Sequence, residues 1–143
     1  MAEDISPVFE FETDINDAAP PPPLPEAEYP ATVQAVEMTK NKKGQPMAVI
    51  SLLISASAYP PDFADGDPDG TVLRDYRTVH TERRLLYLNK QTMNAYGVRI
   101  KRRGDGTSSI DMNDLQGQDV LVTVKHGEYQ GRTTVGVGSV RPR

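Results

Sequence analysis

The residues best suited to chemistry in this chain are cations and aromatic rings placed close together. Lys40-Asn41-Lys42-Lys43-Gly44 crowds its lysines into one basic turn. Lys125-His126-Gly127-Glu128-Tyr129-Gln130-Gly131-Arg132 sets a tyrosine between basic flanks, and Arg74, Tyr76 and Arg77 form a third group. Cations of this kind pair with phosphate oxygens, and flat rings stack on bases. Stacking is worth about 1–3 kcal/mol per base and tolerates any sequence. Taken singly, each segment reads as an ordinary solvated turn or strand. A shared role depends on where the fold puts them.

Other chemistries lack their residues. His80 and His126 are the only histidines and have no metal-ligand spacing. Cysteine is absent, which excludes disulfides and thiolate metal sites. No serine lies in a nucleophile motif, and no Gly-Lys-Ser/Thr phosphate loop occurs. Asp65-Gly66-Asp67-Pro68-Asp69-Gly70 has the alternating oxygens of a calcium loop's opening. Its twelfth position is Tyr76, where a bidentate Glu is required, so the segment reads as a surface loop. The expectation is a protein without catalytic residues, metal or cofactor.

Charge is divided sharply along the chain. Residues 1–39 hold nine acids and no Lys or Arg. All 16 basic residues fall in residues 40–143 against eleven acids, so that part carries a formal +5 while the whole chain carries −4. An acidic arm on a basic body is a pattern of nucleic-acid partners or of self-shielding; a plain solubility role is the alternative. No apolar run reaches the ~20 residues of a membrane span. The start Met1-Ala2-Glu3-Asp4 lacks a secretory signal, so the expected location is the cytoplasm.

The elements that must position these residues follow from periodicity. Residues 1–27 read as an acidic, proline-rich arm ending in Ala18-Ala19-Pro20-Pro21-Pro22-Pro23-Leu24-Pro25. Consecutive prolines fix φ and remove donors, which predicts an extended polyproline II spacer. Upstream, Val8-Phe9-Glu10-Phe11 carries two phenylalanines suited to docking on the body or on a partner. Residues 28–143 read as one domain. Tyr29–Met38 alternates as a strand with Tyr29, Ala31, Val33 and Ala35 on one face. Met47–Ser55 is a second strand, apolar on both faces near its middle. Ala56–Gly70 is a long loop, and Thr71–Val79 a third strand. Thr81 is placed to cap a helix with Glu82 in its first turn, running to about Tyr96 and stopping at Gly97. Its expected core contacts are Leu85, Leu86, Leu88, Met93 and Tyr96. Arg99–Ser109 is a basic connection whose Arg99, Lys101, Arg102 and Arg103 suit a phosphate track or a mobile loop equally. Asp119–Lys125 is a fourth strand, His126–Gly131 a turn, and Arg132–Val140 a fifth strand weakened by Gly136 and Gly138.

The order β-β-β-α-β-β predicts a mainly β, five-stranded OB-fold barrel, although another small mixed sheet fits the pattern too. In an OB-fold, nucleic acid lies across the second and third strands between the loops that join strands one to two and four to five. That places Lys40, Lys42, Lys43, Arg74, Tyr76, Arg77, Lys125, Tyr129 and Arg132 at the expected binding edge.

Two stretches carry a family resemblance. Leu24-Pro25-Glu26-Ala27-Glu28-Tyr29 and Lys40-Asn41-Lys42-Lys43-Gly44-Gln45-Pro46-Met47 resemble the "Leu-Pro-x-Gly-x-Tyr" and "Lys-x-Gly-x-Pro-Met" entries of a family of small phage proteins associated with replication and recombination. Asp111-Met112-Asn113-Asp114-Leu115-Gln116-Gly117, leading into a Val-rich strand, fits as well. Ala27 stands where that family often has Gly. The chain ends in basic Val140-Arg141-Pro142-Arg143 rather than the acidic tail of many single-strand binders. The resemblance spans about residues 24–140 and implies an OB-fold that binds single-stranded DNA without sequence preference in the host cytoplasm. Phage replication or recombination proteins are the expected partners of the arm, and the oligomeric state stays open. The competing expectations are a virion structural protein, decorating a capsid or associated with a tail, and a host-directed inhibitor whose acidic arm mimics DNA.

Overall fold

A computed structural model describes residues 5–20, 22–63 and 65–143. Glu3, Asp4 and Pro21 of the expected arm lie outside these residues. The architecture is mainly β, with one five-stranded antiparallel sheet and one short α-helix. The strands are β1 (Glu28–Lys40), β2 (Pro46–Ile54) and β3 (Thr71–Thr78), then a two-residue ribbon, β4 (Lys101–Arg102) and β5 (Ser108–Ser109), then β6 (Asp119–Tyr129) and β7 (Arg132–Pro142). The helix α1 (Leu86–Ala95) precedes the ribbon. The main sheet runs in the order β3-β2-β1-β6-β7.

β1 is the strand on which the others depend. Its first part, Glu28–Thr32, pairs with β6, and Thr32–Lys40 pairs with β2. Thr32 belongs to both ladders. A bulge between Val33 and Ala35 marks the changeover. Bulges bend a strand and shift its facing. Tyr29, Ala31 and Val33 therefore point into the core as their alternation predicts, but Ala35 does not follow them, and Val36 packs inward instead.

The core lies on the inner face. Ala48, Ile50, Leu52 and Ile54 of β2 and Val120, Val122 and Val124 of β6 are fully buried, joined by Leu73, Met93, Tyr96 and Leu115. Burying a Val, Leu or Ile side chain contributes about 1.5–3 kcal/mol each, so this inner face dominates stability. Leu24 is also buried, and Tyr29 donates its hydroxyl to the Pro25 carbonyl at 2.8 Å. Packing on the sheet thus begins at Leu24, inside the stretch expected to be arm. Residues 5–20, 22 and 23 are exposed, with one short turn at Ile15–Asp17 capped by Asp14.

The helix differs from expectation at its start. Thr81 does not cap it. Arg83–Leu85 form a 3₁₀ turn first, and Leu86 is exposed rather than a core contact. Asn89 instead ties the helix back to β3's exit, donating to the His80 carbonyl at 2.7 Å and accepting from its N–H at 2.8 Å. The far end stops at Gly97, as its φ of +69° requires. Gly97 N–H bonds the Asn94 carbonyl and Val98 N–H the Met93 carbonyl, the paired arrangement that closes a helix. The helix is too short to cross a membrane, and no other helix among the described residues is longer.

The edge strands β3 and β7 run beside each other, but no hydrogen-bonded ladder joins them among the described residues. The expected closed barrel is therefore not found. Where a closing ladder would start, a cleft of about 670 Å³ lies between Thr71–Val72 and Arg132–Val135, walled by Pro20, Pro22, Pro23 and Phe63.

Candidate nucleic-acid interface

Strand alternation gives β2 and β3 a second, outward face. Register sets it out in rows: Thr32, Leu53 and Val72; Ala35, Ser51 and Arg74; Glu37, Val49 and Tyr76; Thr39, Met47 and Thr78. Tyr76 is 59% exposed and Val72 49%. The result is a shallow face with an aliphatic strip, one open tyrosine ring, one arginine and one carboxylate, Glu37. From Thr71 to Thr78 it spans about 23 Å at about 3.3 Å per residue.

Arg77 is not part of this face. One residue past Tyr76, it points to the other side, where its Nε donates to Asp75 Oδ2 at 2.8 Å. Asp75 is buried and also accepts from the Tyr96 hydroxyl at 2.6 Å. Desolvation first, then the Asp75 charge and hydrogen bond, hold the Tyr96 phenol far above its ordinary value, with Arg77 opposing in part. This triad fastens α1 to β3. Arg77 is committed there, and the sequence grouping of Arg74, Tyr76 and Arg77 divides between two faces.

The lysine turn sits at one end of the face, because Lys40 pairs with Pro46 and Met47 with Thr78. Asn41 shapes it. Its Oδ1 accepts from the N–H groups of Lys43 and Gln45, each at 2.9 Å. Its Nδ2 donates to Gln45 Oε1 at 3.0 Å and Thr78 Oγ1 at 3.3 Å. Lys42 and Lys43 are exposed, and Lys40, Lys42 and Lys43 make no salt bridge among the described residues. Asn41 was missed as a positioning residue, although an Asx side chain bonding its own turn is a readable signal.

The second expected loop is a strand hairpin. β6 continues to Tyr129, and the turn is Gln130-Gly131 alone, with φ of +51° and +77°. Two consecutive positive φ values are the two-residue turn that matches strand twist. Tyr129 pairs with Arg132 and Lys125 with Gly136, so Lys125, Tyr129 and Arg132 share one hairpin face. A Cβ at Gly138 would fall on the Lys125 stem, so the glycine that weakens β7 leaves room for that side chain. On the opposite face the His126 ring Nε2 donates to the Leu24 carbonyl at 2.7 Å, and its backbone N–H donates to Glu26 Oε2 at 3.0 Å. These contacts anchor the hairpin to the incoming chain. Arg132 lines the cleft beside Thr71 and Val72, which places the hairpin at the other end of the β2–β3 face.

The structure thus sets Arg74 and Tyr76 on the face, Lys42 and Lys43 in the turn at one end and Lys125, Tyr129 and Arg132 on the hairpin at the other, whereas Lys40, opposite Pro46, has the core-side parity of Ala48 and Arg77 and, like Arg77, is not part of the face. The Asp65–Gly70 segment is a folded loop. Tyr59 and Phe63 stack edge to face at 5.3 Å, and the Tyr59 hydroxyl bonds the Asp67 carbonyl at 2.9 Å. No group of three metal-ligating side chains occurs among the described residues. Comparison with protein-family models and with curated protein sequences finds no match to this chain.

Proposed function

We propose that this protein is an OB-fold single-stranded-DNA-binding protein of the phage replication and recombination type, which covers the strand without chemical reaction. The supporting observation is the outward β2–β3 face, with open Tyr76 and Arg74 between a pre-shaped lysine turn and a Tyr129/Arg132 hairpin. Bases stack on Tyr76 and Tyr129 and rest on the aliphatic strip of Met47, Val49, Leu53 and Val72. The phosphates follow Lys42, Lys43, Arg74, Lys125 and Arg132. The strand order supports the OB reading, since β1 pairs with both β2 and β6, and β7 lies beside β3. Glu37 lowers the potential of the middle row, so affinity rests on stacking there and on charge at the two ends.

Competition binding tests the reading. Labelled oligo-dT should bind with micromolar or tighter affinity in low salt, and duplex of equal length should compete poorly. Equal competition by duplex, or no binding at low salt, contradicts it. A virion structural role is the second reading, favoured by the exposed Ile5, Val8, Phe9 and Phe11 of the N-terminal segment. It calls for no single-strand preference.

A further inference from the structure

At the end of α1, three cations converge on a hollow of about 420 Å³. Lys90 comes from the helix, and Arg99 and Arg102 from the chain that leaves it. Among the described residues no carboxylate lines this hollow, and none of the three cations is in a salt bridge. The neighbouring Lys101 is paired to Asp114 at 3.5 Å. Nor do the three cations serve as helix caps, because the Asn94 and Met93 carbonyls are taken by the N–H groups of Gly97 and Val98. Val98 and Ile100 also line the hollow and are partly buried against the core, so it has an apolar floor.

Cations around an apolar floor fit a ligand that carries carboxylates and rings together. The chain contains such a segment. Val8-Phe9-Glu10-Phe11-Glu12 has no cation, and Phe9 and Phe11 are 67% and 63% exposed. We propose that this hollow receives residues 8–12 of a second copy of the chain, linking protomers head to tail.

Reach selects a second copy over the chain's own segment. Pro20 borders the cleft beside Arg132, at the start of β7. The hollow adjoins the other end of β7, where a Cβ at Gly97 would lie 3.3 Å from Pro142. Ten strand steps separate those ends by about 33 Å. The nine steps from Pro20 back to Phe11 span at most about 30–32 Å when fully extended. The turn at Ile15–Asp17 shortens that span. Docking in the same chain would need complete extension, whereas a neighbouring protomer needs none. A head-to-tail contact of this kind is heterologous and builds rings where the rotation closes and open rows where it does not.

Sedimentation velocity on the full chain in low salt tests this, independently of DNA binding. Wild type should associate as concentration rises. R99E/R102E and E10K/E12K alter exposed residues, so both should keep the wild-type circular dichroism spectrum. Each alone should weaken association about tenfold or more through like-charge contact. An equimolar mixture of the two should associate again, since every arm then meets a pocket of opposite sign. Wild type that stays monomeric, as docking within one chain requires, overturns the proposal. So does a mixture that fails to associate. If R99E/R102E loses oligo-dT affinity but self-associates like wild type, the hollow belongs to a phosphate backbone and the proposal fails.

Discussion

The Tyr96 hydroxyl, carried on the helix end, donates to Asp75 Oδ2 in β3 at 2.6 Å, across 21 residues of sequence. That contact faces the core, and Tyr76, the next residue, faces out. Tyr96→Phe leaves the buried carboxylate with Arg77 alone and should cost about 1–2 kcal/mol of stability by chemical denaturation. Single-strand affinity should be unchanged. The folded chain also holds the Tyr96 proton to higher pH than the unfolded chain does, so stability should fall as pH rises past 10.0. The fall should be smaller in Tyr96→Phe.

Asn41 fixes the lysine turn through backbone N–H groups rather than by touching a ligand. Asn41→Ala should cost about 1 kcal/mol of stability. It should also loosen Lys42 and Lys43, lowering the log–log salt slope of oligo-dT binding by up to about 0.7, one phosphate contact. A stability loss with no change in slope would show that the turn's shape does not matter to binding.

Arg141 holds Glu28 by two hydrogen bonds at 2.7 and 2.8 Å, joining the start of β1 to the end of β7. The Arg141 hydrogen bond, opposed by desolvation and aided by the guanidinium charge, keeps the Glu28 carboxyl below its ordinary 4.5. A lowered folded value means that the stabilisation is complete above pH 4.5 and is lost as pH falls through the folded value. Glu28→Gln should lower Tm near neutral pH. The gap from wild type should close in acid, and a gap that stays constant across the titration would contradict the pairing.

Much of the fold was legible because β2, β6 and the start of β1 bury alternate apolar residues, and a period of two announces itself. The site was legible in part. The Lys40–Gly44 turn was legible because Asn, Gly and clustered polar residues punctuate the chain, but the expected turn over His126–Gly131 shrinks to Gln130-Gly131, since β6 keeps its ladder to β7 as far as Tyr129. Arg77 misled because residue type says nothing of facing. Its parity with Asp75, and the partner Tyr96 far along the chain, decide which side it takes. The bulge after Val33 was hidden for a similar reason, since the changeover from β6 to β2 is a tertiary event. Leu24 looked like part of a proline spacer, yet its side chain joins the core and its carbonyl is bonded by His126, 102 residues along the chain. The apolar outer residues of β2 fitted a sheet that either curls or is covered on both faces, and they lie half-buried beside the exposed Tyr76.

The central claim is that single-stranded DNA lies on the outward β2–β3 face between the two basic ends. Fluorescence anisotropy with oligo-dT across a salt series, on wild type, Tyr76→Ala, Lys42→Ala and Arg77→Ala, tests it most directly. The wild-type slope should be about −3.5 if the five path cations all engage, at about −0.7 each. Tyr76→Ala should lose about 1–3 kcal/mol of binding with its slope intact. Lys42→Ala should lower the slope by about 0.7, and Arg77→Ala should change stability but not slope. Folded Tyr76→Ala and Lys42→Ala proteins that bind like wild type, or an Arg77→Ala protein that loses slope, would contradict the claim.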